Sequence, residues 1–473
     1  MNPTNPSRRD FLKTSGAAAA AAAVAFPSVI RAQGTSAKLK IGFIGCGGRG
    51  TGAASQALQA DSNVELWAMG DAFRDPIDKS LESLKTLLKD HPEKFNVAEE
   101  RKFVGLDAYK QVIDSGVDVV ILTTTPAFRP LHIKAAVDAG KHVFAEKPMA
   151  VDAPGLRSVI ESAKKAKAQN TALVDGFVWR WTQANREAYK KIHEGAIGDI
   201  TAVYSSYYTG SVDRYPKWNR ANTKTDLEWQ IRRWYYFTWL SGDHIVEQAI
   251  HSIDKMLWAM KDVPPASVVC VGGRQARPGA LGRGKYGLGT PHGDIVEVES
   301  DGGEYGNIWD HFGAEFRWES GVKGYHFCRQ IGRCYNANTD EIFGTKGVYQ
   351  GESASKRHVI IHSDNPWRYQ APAGVKDNGY QTEHDEMYAS IRNGKPINTS
   401  ERFTQTTMTA IMARMAAYTG KEVTWDEAMK SKEILCASVD DSGKPVPMAI
   451  GDLKWDTKLP VAPVAVPGVN ELT

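Results

Sequence analysis

A glycine turn, Gly45-Cys46-Gly47-Gly48-Arg49-Gly50, follows the apolar segment Ile41–Ile44. Between a strand and a helix this spacing can cradle a pyrophosphate. The first glycine takes the tight turn, the second lets the backbone approach the phosphates, and the third lets the helix pack on the strand. The phosphates then sit at the helix N-terminus, where free N–H groups and the helix dipole favour an anion. Asp71 ends the next strand, Val64–Met69. There a carboxylate would accept hydrogen bonds from an adenosine ribose and repel a 2′-phosphate, which favours NAD over NADP. Arg49 and Arg74 could neutralise that phosphate, so NADP stays open. Thr123-Thr124-Thr125-Pro126 closes another apolar strand, at the end where cofactor loops lie in this architecture. The expected dinucleotide contacts are Gly45, Gly47, Gly48, Arg49, Gly50, Asp71, Thr124, Thr125 and Pro126.

The elements needed to hold such a turn are legible over residues 38–155. Strands at Lys40–Ile44, Val64–Met69, Val117–Thr123 and His142–Ala145 alternate with helices at Gly52–Ala60, about 76–90 and Pro130–Ala139. Val117–Thr123 is almost continuously apolar, as a parallel strand buried on both faces should be. The alternation predicts an α/β fold with an N-terminal doubly wound, Rossmann-type sheet. A second α/β domain is expected over 156–440, with a large, mostly antiparallel open sheet built from Ile200–Tyr208, Ser267–Val271, Asp294–Glu299, Ala314–Glu319, Tyr325–Gln330 and Val348–Gln350. A long aromatic loop is expected at 209–240, a strong helix at Thr404–Tyr418, and an extended tail at 441–473.

Composition narrows the function classes. The chain has 473 residues, 42% apolar and 24% charged, with a net charge of +3, too small and too dispersed to imply a nucleic-acid partner. Its five cysteines, Cys46, Cys270, Cys328, Cys334 and Cys436, form neither a disulfide framework nor a metal-ligand spacing. Ser7-Arg8-Arg9-Asp10-Phe11-Leu12-Lys13 runs into an alanine-rich stretch from Gly16 to Ile30. This reads as a twin-arginine export signal over residues 1–33, cleaved after Ala32, although Ile30 is a mediocre fit to a small-residue cleavage site. The stretch is too short and too weakly apolar for a comfortable membrane span, so the mature chain is expected to lack one and to be periplasmic or otherwise exported.

Ala145-Glu146-Lys147-Pro148, after a short strand and downstream of the glycine turn, resembles a motif of the Gfo/Idh/MocA oxidoreductases. The resemblance covers roughly residues 38–430. It implies that Lys147 lies near nicotinamide and substrate, with Glu146 and Pro148 shaping the turn. An ammonium there would stabilise a developing alkoxide and help relay its proton. The segment Gly242–Asp254 is similar to the family's helix bearing an acid and a histidine four residues apart. His251 takes the histidine position, and Glu247 stands where aspartate is more usual. At i and i+4 the two would share a helix face. Gly195–Ile200 and Phe343–Gly347 also resemble family junctions. Relatives with this sheet often build dimers or tetramers, so a homo-oligomer is implied.

The resemblance points to sugars, cyclitols and their derivatives as substrates. The residues add hints of their own. Trp179-Arg180-Trp181 follows the strand Ala172–Phe177, and the 209–240 segment interleaves Tyr215, Trp218, Trp229, Trp234, Tyr235, Tyr236, Phe237 and Trp239 with Arg220, Arg232 and Arg233. Aromatic faces pack against sugar C–H groups, and arginines donate in a fixed fork to oxygens. Arg180, Trp181, Trp234, Tyr235, Asp243 and His244 are therefore expected to bind substrate. The expected chemistry is hydride transfer between a sugar carbon and nicotinamide. His251, with an ordinary pKa of about 6.5, serves as base, Lys147 stabilises the alkoxide, and Glu247 orients. An exported protein cannot easily reload NAD, so the cofactor is expected to be tightly bound and recycled in the site. Two other readings stay open: glycoside hydrolysis or elimination through transient sugar oxidation, and a sugar- or cofactor-binding relative without turnover. The intact Glu146-Lys147-Pro148 and the Glu247/His251 pair argue against the last.

Overall fold

Two sheets carry the structure, and the site lies where the end of one meets helices packed on the other. The computed structural model describes residues 37–472 apart from 211, 213–217, 278–284, 290–294, 300–304, 354–356 and 375. The export signal, Tyr215 and Asp294 fall outside the described residues.

The first sheet is parallel, in the order β3-β2-β1-β4-β5-β6. Its strands are β1 (Leu39–Ile44), β2 (Val64–Asp71), β3 (Lys102–Val104), β4 (Val119–Leu122), β5 (His142–Ala145) and β6 (Leu173–Asp175). Helices α1 (Gly48–Ala60), α2 (Arg74–Leu87), α3 (Ala108–Asp114), α4 (Arg129–Asp138) and α5 (Ala153–Ala168) connect them. Every residue of β4 is buried, which accounts for its unbroken apolar run. The Asp152 carboxylate caps α5 by accepting from Gly155 N at 2.9 Å. The boundary expected at 155 falls inside α5, and the parallel sheet continues to β6 beyond it.

The second sheet has nine strands in the order β16-β15-β14-β13-β7-β12-β11-β8-β17. They are β7 (Ile200–Thr209), β8 (Ser267–Gly273), β11 (His311–Arg317), β12 (Lys323–Gln330), β13 (Thr339–Gly344), β14 (Gly347–Glu352), β15 (Arg357–Ile361), β16 (Trp367–Arg368) and β17 (Val423–Thr424). A separate hairpin joins β9 (Lys285–Gly289) to β10 (Ile295–Glu299). Within the large sheet β7 and β12 run parallel, and the other pairings are antiparallel. This is the large, mostly antiparallel sheet expected, with one correction: the strand expected at Asp294–Glu299 pairs with β9 outside it. Further helices are α6 (Gln183–His193), α7 (Asp226–Arg232), α8 (Thr238–Ser241), α9 (His244–Glu247), α10 (Ile250–Ala259), α11 (Gly379–Arg392) and α12 (Ser400–Thr419). Helix α12 is buried along nearly its whole length and packs against β8, α5 and α10. Gly420, at φ 71°, ends it.

Two further expectations change here. The aromatic segment 209–240 is not one long loop, because α7, α8 and short 3₁₀ turns organise much of it. Trp229, Tyr235, Tyr236 and Phe237 are fully buried and share a core with Leu453 and Leu459 of the C-terminal tail. Large aromatic surfaces gain most when removed from water, and the tail supplies the cover. The helix expected across Gly242–Asp254 is broken: α9 stops at Glu247 and α10 starts at Ile250.

Candidate active site

At the dinucleotide end, Gly45 lies at φ +95°, a conformation that side chains resist. A Cβ on Gly50 would come within 1.9 Å of Gly45 O, so this glycine allows the helix to touch the strand end. Helix α1 has Gly47 as N-cap, with no side-chain cap and no acid in its first turn. Its N-terminal N–H groups are therefore free of side-chain partners, and a Cβ on Gly47 or Gly48 would meet nothing within 4 Å. Thr125 Oγ1 is buried without a hydrogen-bond partner. An uncapped helix end, open space over the glycines and an orphan hydroxyl fit a bound pyrophosphate-nicotinamide group.

Asp71 reaches the same cleft. Its carboxylate accepts from Cys46 N at 2.7 Å and Phe73 N at 3.0 Å. Burial, followed by the weaker repulsion from Asp75, pushes its pKa up to about 6 despite the two backbone donors. Because the folded value lies above the ordinary one, the ionised form costs stability at neutral pH, and that cost fades as pH falls through about 6. Ribose hydroxyls donating to the carboxylate favour its charged form, so cofactor binding should weaken on acidification. At pH 5 NAD affinity is expected to be about tenfold below its value at pH 7.5. Titration with NADH at both pH values checks this, and Asp71→Asn should flatten the dependence. Arg49 is held by Glu146 at 3.1 Å and by Gln56, and it lies over the Tyr380 ring. Arg74 is held by Asp78 and Glu99. Both guanidiniums weighed as 2′-phosphate partners are thus engaged by carboxylates.

The cleft continues, about 910 Å³ in all, from the glycine turn to Lys147, Glu247, Gln248 and His251. Lys147 precedes a cis peptide bond to Pro148. Its Nζ donates to Glu247 O at 2.5 Å and to Glu247 Oε1 at 3.2 Å. The break between α9 and α10 makes the first contact available. Residue His251 N reaches Gln248 O at 3.5 Å rather than Glu247 O, leaving the Glu247 carbonyl to the lysine. Arg129, buried beneath, donates to Pro148 O and Thr124 O, tying the lysine turn to the threonine loop. Its neighbour His132 contacts Thr124 Oγ1 at 3.2 Å.

His251 lines the cleft beside Phe177 and Trp179. Burial, then Lys147 and Lys255, hold its pKa well below the ordinary value. The expectation of an unperturbed imidazole is therefore corrected: burial and the two lysines favour the neutral ring and make His251 a weaker base than a free histidine.

Of the six residues expected to bind substrate, Trp234 alone lines this cleft. Arg180 is buried, with its fork on Asp254 at 2.8 and 2.9 Å and further bonds to Asp262. Trp181 is buried against α11 and flanked by Arg186 and Arg402. Tyr235 is buried, its hydroxyl accepting from Gln330. Asp243 is fully buried and accepts from His244 N, Trp309 N at 2.7 Å and the Tyr418 hydroxyl at 2.6 Å. His244 packs edge-on against Phe312, and its pKa is driven well below the ordinary value, first by burial. These polar groups were drawn inward by partners distant in sequence. Trp218 and Arg232 of the aromatic segment also line the cleft, and residues there that were not anticipated include Tyr207, Gln248, Arg129 and Tyr380. Gln248 sits between two anticipated residues, and that adjacency is the one signal that could have found it.

Comparison with known proteins bears on this geometry. Residues 39–173 match the family model described as oxidoreductase family, NAD-binding Rossmann fold (GFO_IDH_MocA). Residues 185–350 match the GFO/IDH/MocA C-terminal domain. Residues 5–25 match the twin-arginine translocation signal, which indicates export by that pathway. Inositol 2-dehydrogenase of Acidiphilium cryptum (strain JF-5) is 27% identical over 224 residues, 47% of this chain and 55% of that protein. The chain thus spans about half the length of the curated relatives it matches. The structure of levoglucosan dehydrogenase with NADH and levoglucosan superposes with a TM-score of 0.61 at 18% identity, over 82% of this chain and 99% of the other. Aldose-aldose oxidoreductase from Caulobacter crescentus gives 0.59 at 19% identity, over 82% and 99%. At such identities the likeness is one of fold. Among the described residues no helix is long and apolar enough to cross a membrane.

Proposed function

The chain belongs to the Gfo/Idh/MocA oxidoreductase family, and we propose that it transfers a hydride between a sugar, cyclitol or sugar derivative and a tightly held NAD. The observation that carries this reading is the Lys147 ammonium, fixed by two contacts to Glu247 on the cleft wall shared with His251. The turn Gly45–Gly50, Asp71 and the Thr124–Pro126 loop would hold the dinucleotide, which when bound supplies the hydride acceptor.

This chain's own residues do the rest. Lys147 spends two N–H groups on Glu247 and keeps another for the reacting oxygen. As the hydroxyl loses its proton, that ammonium stabilises the alkoxide. Neutral His251 accepts the proton without first having to lose one. Glu247, fixed through its own carbonyl, orients the lysine and offers an acceptor to a neighbouring hydroxyl. Relatives named for inositol and levoglucosan support the polyol class.

The test is to purify the protein after export, measure its nicotinamide content, and add myo-inositol, levoglucosan and D-glucose separately. Near-stoichiometric retained cofactor that becomes reduced by one of them is expected. Protein devoid of nicotinamide, active only with excess NAD, removes the resident-cofactor part. Aryl glycosides run in parallel separate the alternatives: aglycone release without net reduction would instead indicate glycoside cleavage through transient oxidation.

A further inference from the structure

The wall beside Glu247 and His251 has a fixed hydrogen-bond polarity, set by residues packed behind it that do not line the cleft. Arginine can only donate, and Arg277 Nη2 donates to Gln330 Oε1. That settles the orientation of the Gln330 amide. Its Nε2 donates to Tyr235 Oη and to Gln248 Oε1, each at 2.5 Å. Gln248 Oε1 is thereby an acceptor turned inward, and the other end of that amide, Nε2, must face away from the network. Gln248 lines the cleft, and among the described residues its Nε2 has no protein partner. Arg277 is itself anchored: its Nε donates to Trp309 O at 3.1 Å and its backbone N to Asp310 Oδ2 at 3.1 Å. Gln330 is buried and its backbone N donates to Asp310 O.

We infer that Gln248 is a specificity-determining residue that presents only N–H donors to the substrate, with Arg277 and Gln330 as positioning residues that forbid the opposite orientation. This rests on the reading of the cleft as a polyol site. The wall then alternates: Glu247 accepts a hydrogen bond and Gln248 next to it donates one. The substrate class that fits carries, near the reacting carbon, an oxygen that can accept. A carbonyl, a ring oxygen or a hydroxyl with its own proton directed elsewhere meets that requirement. A site built to donate discriminates strongly against a group that cannot accept, because the donor is left unpaired.

The test exploits the remote position. In Gln330→Glu, one carboxylate oxygen still accepts from Arg277 while the other faces Gln248. The Gln248 amide must then turn its NH2 inward and its carbonyl toward the cleft. Gln330→Met only unlocks the amide, which then shows the correct face about half the time. The NADH-loaded protein is titrated calorimetrically with myo-inositol, levoglucosan and D-glucose, so that no oxidation accompanies binding. NAD-loaded protein then gives KM and kcat for cofactor reduction by the same polyols.

For levoglucosan, whose ether oxygens can accept but not donate, Gln330→Glu is expected to raise Kd and KM about tenfold or more, because two acceptors then face each other across a desolvated contact. Gln330→Met should raise them about twofold. Gln248→Glu, which presents an acceptor directly, should match Gln330→Glu, and keeps the test alive should Gln330→Glu fail to fold. The larger effect should fall on KM rather than kcat. Wild-type Kd in Gln330→Glu or in Gln248→Glu overturns the inference, as does failure of all three polyols to bind wild type. A polyol that binds with the expected variant pattern yet never reduces NAD overturns the hydride-transfer reading alone.

Discussion

Lys147→Met is expected to slow reduction of bound NAD by about 10³-fold or more, while leaving nicotinamide content within about twofold of wild type. The size of the effect follows from the two groups flanking the reacting oxygen. Burial, Lys147 and Lys255 press the His251 pKa well below its ordinary value, so its pull on a hydroxyl proton is weak. A weak base leaves more of the barrier to be lowered by stabilising the alkoxide, and the Lys147 ammonium is placed to do this, held at 2.5 Å and 3.2 Å by Glu247. Methionine keeps the side chain's length and apolar stem but removes the charge, at an expected cost of about 4 kcal/mol in the transition state. The cofactor would be gripped elsewhere, by the glycine turn and Asp71, so its retention should survive. Single-turnover absorbance in the reduced-nicotinamide band measures the rate, and extraction measures the content. A rate within tenfold of wild type would take Lys147 out of the chemistry. Loss of the cofactor together with the rate would make it a binding residue instead.

The dinucleotide end was legible because its constraints are local. Gly45 and Gly50 must be glycine for reasons of turn and contact that span a few residues, and the buried strands around them read as apolar runs. Lys147, Glu247 and His251, the proposed catalytic residues, could be picked out by motif, but their geometry could not. An i, i+4 spacing predicts a shared helix face, whereas the chain breaks at Gln248 and gives Lys147 a backbone carbonyl to hold. The substrate wall was the least legible. Arg180 has the chemistry of a sugar ligand, yet Asp254 and Asp262 claim its fork inside the protein. Tyr235 and Trp229 look like stacking platforms and serve as core under the tail. Side-chain type alone does not say which partner arrives first, and Gln248 acquires its polarity from Gln330, at the end of β12, and from Arg277, in the turn after β8.

Export places the burden on the adenosine end, where Arg232 spans the cleft. Its guanidinium lies 3.7 Å from the centroid of the Phe73 ring and 3.8 Å from that of Trp218. It also pairs with Asp75 at 3.1 Å and with Glu228 at 2.9 Å. Phe73 and Asp75 lie two and four residues after Asp71, so these contacts cross from the aromatic segment to the strand end that would hold the ribose. Trp455 of the tail also packs on Phe73, with ring centroids 5.5 Å apart. A dinucleotide leaving by this end must break the crossing. The stacked cation is worth about 1–2 kcal/mol where partly desolvated, and the half-exposed pair with Asp75 no more than about 1 kcal/mol. If release proceeds only from the open state, losing about 2 kcal/mol of closure speeds it about thirtyfold. Arg232→Ala is therefore expected to release NADH about thirtyfold faster than wild type, and Arg232→Lys, which keeps the charge and loses the planar stack, should fall between. Displacement of prebound NADH, followed by its fluorescence, gives the rate directly. An unchanged rate in Arg232→Ala would show that the crossing does not gate release, and rapid loss from wild type would show that the cofactor is not resident at all.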